Sequence, residues 1–182
     1  MRADLTPIPR RFSAWRSPLL TLALCGLMGA AQAADEGDSF SLKLSGNGQT
    51  QPSDVGLPVY AGARPYVENE GDRAAVSLGA WAGRFGLSLH VMKFRADAAP
   101  AAVAAFYEKA LGRYGEVLDC RDPAARVKPP KDQPERLGCE ERAPKAGTFE
   151  YRVGTRKSFR VVSVRPEGEG SRFDMAKIEL GF

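Results

Sequence analysis

The sequence predicts an α+β fold: an antiparallel sheet of five to seven strands with one principal amphipathic helix packed on one face. Three observations carry that reading. Residues 100–115 hold the clearest helical period in the chain, with Val103, Phe106, Tyr107, Ala110, Leu111 and Tyr114 recurring at steps of three and four. The stretches before and after it alternate apolar and polar residues at the period of a strand. Between those stretches stand short breaks rich in Gly and Pro, of the kind that join antiparallel neighbours. Pro100 suits the first helical position, because the N–H it lacks would find no partner there, and Gly115 suits the stop after the last turn.

In chain order, residues 1–33 read as a cleaved signal peptide. Arg10, Arg11 and Arg16 form a basic front, Leu19 to Met28 is a short apolar run, and Ala31-Gln32-Ala33 supplies the small residues that a signal peptidase cuts after. The mature chain would begin at Ala34. The apolar run is shorter than the roughly 20 residues a spanning helix needs, so no transmembrane segment is expected in the mature chain. Cys25 as a lipoprotein acceptor would require a small residue where Leu24 stands, and Arg10-Arg11 lacks the surroundings of a twin-arginine signal. The leader also holds most of the charge excess. The chain carries a net charge of +4, but Arg2, Arg10, Arg11 and Arg16 against Asp4 leave with the leader, and +1 remains. The composition therefore gives no reason to expect a nucleic-acid partner.

The rest divides into an N-terminal strand and linker, 34–56, and a single α+β domain, 57–182. Ser39 to Ser45 alternates as a half-buried strand, and Gly46 to Gly56 is polar and reads as a loop. Leu57 to Ala63 reads as a short extended segment that Pro58 and Pro65 confine to a sheet edge or irregular structure. Ala74 to Trp81 and Leu87 to Arg95 form an expected hairpin around the turn Gly83-Arg84-Phe85-Gly86. After the helix, strands are expected at 116–120, 148–153, 159–165 and 172–180.

Cys120 and Cys139 are the two cysteines left once the leader is gone, in a chain bound for an oxidising space, and they are expected to pair. The bridge would close the Pro-rich, charged loop Arg121 to Gly138. Zinc would need further ligands at short spacing, and a redox pair would need Cys-x-x-Cys; neither pattern is present. Asp119, Asp122, Glu135, Glu140 and Glu141 gather around the bridge without the spacing of a calcium loop, and read as a solvated acidic loop. Ser88, Ser158 and Ser163 share one possible histidine base and no Gly-x-Ser-x-Gly elbow, which argues against a serine hydrolase.

Two stretches carry resemblances. Leu89-His90-Val91-Met92-Lys93-Phe94 followed by Ala102 to Gly112 resembles the opening of a vicinal-oxygen-chelate (glyoxalase-like) module over residues 87–165, with His90 near the first metal-ligand position of that family. The resemblance implies a metal-dependent or ligand-binding protein, degenerate or dimeric, since the chain has one histidine. Leu57-Pro58-Val59-Tyr60-Ala61-Gly62-Ala63, together with Val103, Phe106-Tyr107 and Gly115, resembles small secreted bacterial proteins of unassigned function. That second resemblance implies export and a fold, and names no reaction.

Arg152, Arg156, Lys157 and Arg160 cluster at the Tyr151–Val161 hairpin with Tyr151 and Phe159 between them, and are the candidate residues for binding an anion or an acidic partner; a solvated sheet edge is the alternative. The function expected from the residues is thus a non-enzymatic binding or interaction module, periplasmic or secreted. Its partner would be an anionic envelope component or an acidic protein, and no cofactor is called for. The glyoxalase-like reading of His90 is the alternative.

Overall fold

The computed structural model describes residues 40–45 and 50–181. The expected leader and residues 34–39 and 46–49 lie outside them. Among the described residues eight strands form one sheet: β1 (Phe40–Ser45), β2 (Arg64–Pro65), β3 (Ala75–Ala82), β4 (Phe85–Ala96), β5 (Leu118–Asp119), β6 (Phe149–Gly154), β7 (Ser158–Glu167) and β8 (Gly170–Gly181). Seven run across the sheet in the order β1-β3-β4-β8-β7-β6-β5, and β2 pairs with β4 beside β3. Every pairing is antiparallel. The main helix, α2 (Pro100–Leu111), packs against this sheet, so the α+β class is the observed one.

Local chemistry explains most element boundaries. Pro100 opens α2, which passes at Gly112 into a 3-10 turn ending at Tyr114; Gly115 follows with φ +135, a value that favours glycine. The stretch expected to be all loop before residue 57 contains a one-turn helix, α1 (Pro52–Val55). Pro52 opens it, the Asp54 carboxylate accepts the Gln51 N–H at 2.7 Å, and Gly56 closes it in the left-handed region. Its purpose is visible in Val55, which is fully buried in the core.

That core lies between α2 and half of one sheet face. Val103, Ala104, Tyr107 and Leu111 of α2 meet Met92, Phe94 and Ala96 of β4, Phe173 and Met175 of β8, Val162 and Val164 of β7, and Tyr151 and Val153 of β6. Phe173 sits at the centre, stacked on Phe94 with ring centroids 5.4 Å apart and tilted against Tyr107 at 5.2 Å. The Tyr107 hydroxyl accepts the Tyr60 N–H at 3.2 Å, and burial raises its pKa well above the ordinary phenol value.

The strands are longer than the helix can cover. Twelve helical residues span about 18 Å, whereas twelve residues of β4 or β8 span about 40 Å. The sequence answers by inverting its amphipathic phase midway. Along β4, Leu87, Leu89 and Val91 share the face away from α2, but Met92, Phe94 and Ala96 share the face toward it. Along β8, Phe173 and Met175 face α2 while Ala176, Ile178 and Leu180 face away, and on β7 the switch falls between Val161 and Val162. The switch points are register partners: Val91 lies opposite Val76 and Ala176, Met92 opposite Ala75 and Met175, and Val162 opposite Met175. One sheet therefore has two apolar fields on opposite faces. The second field, with Val76, Leu78, Leu87, Leu89, Val161, Ile178 and Leu180, is half-buried and takes no part in the core.

Behind the covered field, the outer face is charged and internally paired. Arg165 meets Asp174 at 2.6 Å, Arg172 meets Glu68 at 3.2 Å, and Lys93 bonds Asp72. The Lys93 ammonium, with the backbone N–H groups of Glu68 and Arg73, holds the Asp72 pKa down to about 2, from 3.8. A carboxylate whose folded pKa lies below its unfolded value contributes stability above pH 3.8 that is lost as pH falls toward 2. Acid unfolding followed by circular dichroism should therefore be shallower across pH 4 to 2 in Asp72→Asn than in the wild type, with the variant less stable at pH 7. Equal slopes would show that the pairing does not contribute to the folded state.

Candidate anion-binding cleft

Cys120, buried at the end of β5, is joined to Cys139 by a disulfide with the Cα atoms 5.4 Å apart. The bridge folds the intervening loop back onto the β6–β7 hairpin. Backbone bonds reinforce it: within the loop Cys139 N–H donates to Ala125 O at 2.9 Å, and at the seam Arg156 N–H donates to Glu135 O at 3.1 Å and Arg136 forms an antiparallel bridge with Thr155. Arg152 is the strut between the layers. Its guanidinium is held by Glu150 at 2.8 Å and Glu140 at 3.3 Å, and it donates to Gly138 O at 3.4 Å.

Between loop and hairpin lies a cleft of about 550 Å³. Five cationic side chains line it, Arg126, Lys128, Arg136, Arg152 and Arg156, against two carboxylates, Glu140 and Glu141, with Phe159, Leu137 and Pro129 supplying apolar wall. The carboxylates are engaged, Glu140 by Arg152 and Glu141 by Lys128 at 2.8 Å; the Lys128 contact lowers the Glu141 pKa below its ordinary value, which keeps that pair charged. Three guanidinium groups are left over. Arg156 donates to Pro134 O at 3.3 Å, Arg126 reaches Glu141 O at 3.5 Å, and Arg136 makes no side-chain bond among the described residues. The Arg126 Nε is buried with no hydrogen-bond partner, a donor that costs about 1–3 kcal/mol to leave unsatisfied.

The four residues that the sequence grouped together are not together in space. Arg152 and Arg156 line the cleft. Lys157 lies outside it and pairs with Glu135 at 3.1 Å. Arg160 stands on the opposite face of the sheet, because Val153 is its register partner and shares its side, whereas Arg152 pairs with Val161. There it stacks on Tyr114, 3.6 Å from the ring centroid, and donates from Nε to Val55 O at 2.8 Å, pinning α1 to the turn after α2. Arg126, Lys128 and Arg136 were not singled out in the sequence, since an aperiodic loop carries no signal of what it lies against.

The acidic residues around the bridge are individually engaged: Asp119 pairs with Arg121, Glu135 pairs with Lys157, and Asp122 accepts the Ala124 N–H that it caps. Among the described residues no three potential metal ligands gather, at His90 or elsewhere. Both His90 ring nitrogens meet hydroxyls, Nδ1 with Ser77 at 2.8 Å and Nε2 with Ser88 at 3.2 Å; Ser77 is in turn 2.7 Å from Thr50. A serine thus does lie beside the one histidine. The group behind the imidazole is a neutral hydroxyl, however, and holds no negative charge to stabilise an imidazolium as the third member of a catalytic triad would.

No helix among the described residues is long and apolar enough to cross a membrane. No protein-family model, curated protein or solved structure matches the chain.

Proposed function

We propose that the protein is an exported, non-enzymatic binding module that holds an anionic group, phosphate or carboxylate, of an envelope polymer or acidic protein in the cleft between the bridged loop and the β6–β7 hairpin. The observation that carries this reading is the excess of guanidinium groups in one cleft, one of them with a buried donor left unpaired. Planar guanidinium forks suit the oxygen geometry of carboxylate and phosphate. A cleft tied down by a disulfide and by Arg152 presents those forks with little ordering left to do on binding. The disulfide and the absence of a spanning helix among the described residues are compatible with secretion.

Calorimetric titration with inorganic tripolyphosphate and with hexaglutamate tests the reading. Binding should weaken as salt rises, because charges more than a screening length of about 8 Å apart are lost to one another near physiological ionic strength. The double variant Arg136→Glu, Arg156→Glu should lose binding while changing stability by only about 0.5 kcal/mol per exposed site. No heat with either anion at low salt, or undiminished binding by the variant, would overturn it.

A further inference from the structure

A second feature lies on the other face of the sheet from the cleft, where the polar half created by the phase inversion extends beyond α2. Trp81 is 46 % exposed there. Its indole lies across two glycines of the neighbouring backbone. A Cβ at Gly79 would collide with Cη2 and Cζ3 of the six-membered ring, and one at Gly86 would stand 3.0 Å from Cδ1 of the five-membered ring. Neither glycine has a positive φ, so the backbone does not require glycine at either place; the ring above them does. One face of the indole is seated on the sheet, and the other is left to solvent.

Polar groups flank the indole on its β4 and β8 side, on the same side of the sheet. Ser88 is the register partner of Gly79, beneath the six-membered ring, and Glu179 is the partner of Ser88. In the next row Ser77, His90 and Lys177 are partners in turn. The hydroxyl–imidazole contacts fix the His90 ring, and Lys177 meets Glu179 at 2.9 Å. From β3 to β8 the surface is about 10 Å wide, and at β7 it ends on Arg160, the register partner of Lys177, whose guanidinium is turned onto Tyr114 and Val55 O. The surface combines a flat apolar plate with donors and acceptors, and between β3 and β8 its charge is balanced by the Lys177–Glu179 pair.

We infer that this face is a docking platform for a neutral carbohydrate, with a pyranose ring stacked on Trp81 and its hydroxyls bonded along the Ser88, His90, Lys177 and Glu179 rows. A pyranose presents a face of C–H groups and a rim of hydroxyls, which matches an aromatic plate bordered by mixed donors and acceptors. A cationic ligand would need an aromatic cage, and Trp81 is a single plate beside an ammonium group. A free anion would find Glu179 as readily as Lys177.

Trp15 and Trp81 are the two tryptophans of the chain, and Trp15→Phe makes Trp81 the sole reporter whether or not the expected leader, which holds Trp15, has been removed. Titration of that variant with cellohexaose and chitohexaose should give a saturable change in tryptophan emission, with half-saturation at or below about 1 mM. The response should persist in high salt and in Arg136→Glu, Arg156→Glu, which separates it from the cleft. Lys177→Ala and Ser88→Ala, checked for folding by circular dichroism, should each weaken it by about fivefold or more. Binding of the same sugars by Trp81→Phe, followed calorimetrically, should weaken similarly. No saturable change with either sugar up to about 10 mM would overturn the inference. So would affinities in the folded Lys177, Ser88 and Trp81 variants equal to the parent.

Discussion

Phe173→Ala is expected to lower stability by about 3–5 kcal/mol, enough to remove much of the folded population at moderate temperature. Phe173 has no exposed surface, and its ring is the contact shared by Phe94 on the sheet and Tyr107 on the helix. Its loss opens a cavity at the one place where β4, β8 and α2 all meet, and close-packed neighbours relax into such a space only in part. Two comparisons locate the effect. Phe106 lies on the same helix but at the core's margin, edge-on to Tyr60 and Tyr107 at 5.2 and 5.0 Å, and Phe106→Ala should cost distinctly less. Leu89 belongs to the second apolar field, half-buried and outside the core, and Leu89→Ala should cost less again. Urea unfolding of the three variants checks the order. Equal losses at Leu89 and Phe173 would mean that the second field is packed as tightly as the first.

The same residues show how much of the structure was legible beforehand. The helix was readable because its apolar period is uninterrupted, although Ala104 proved to be one of its buried positions and Phe106 a marginal one. The strands were readable as strands, but the inversion within them was not. An alternating run with one adjacent apolar pair, Val91-Met92 or Val161-Val162, looks like a single half-buried strand until its neighbours show that the pairs align. The short helix at Pro52–Val55 hides in a polar stretch because one buried valine is too little to make a pattern. At the site, Arg152 and Arg156 stood out because they lie next to a visible hairpin. Arg160 was misplaced because a four-residue cluster spanning a turn cannot be assigned to faces before the register is known. The loop arginines stand in a stretch with no apolar period to place them, and the disulfide, with a few backbone bonds, does so.

That bond sets the second large effect. Replacing Cys120 and Cys139 with serine should destabilise the protein by roughly 3 kcal/mol in the chain-entropy model, since the bridge closes a loop between residues 19 apart in sequence. The loss should be confined in structure even where it is large in energy. Phe173 and the faces of α2 and β4 that meet it owe nothing to the loop, so the far-ultraviolet spectrum and a cooperative transition should survive at a lower midpoint. The cleft should not survive intact. Arg126, Lys128 and Arg136 reach the hairpin only along the bridged loop, and without the bridge their placement rests on the Arg152 contacts and a few backbone bonds. Tripolyphosphate affinity should therefore fall in the serine variant under conditions where the domain is still folded, and fall again when Arg152→Ala removes the remaining strut. Unchanged stability would show that the loop is held by its other contacts. Unchanged affinity in a measurably destabilised variant would place the anion elsewhere than in this cleft.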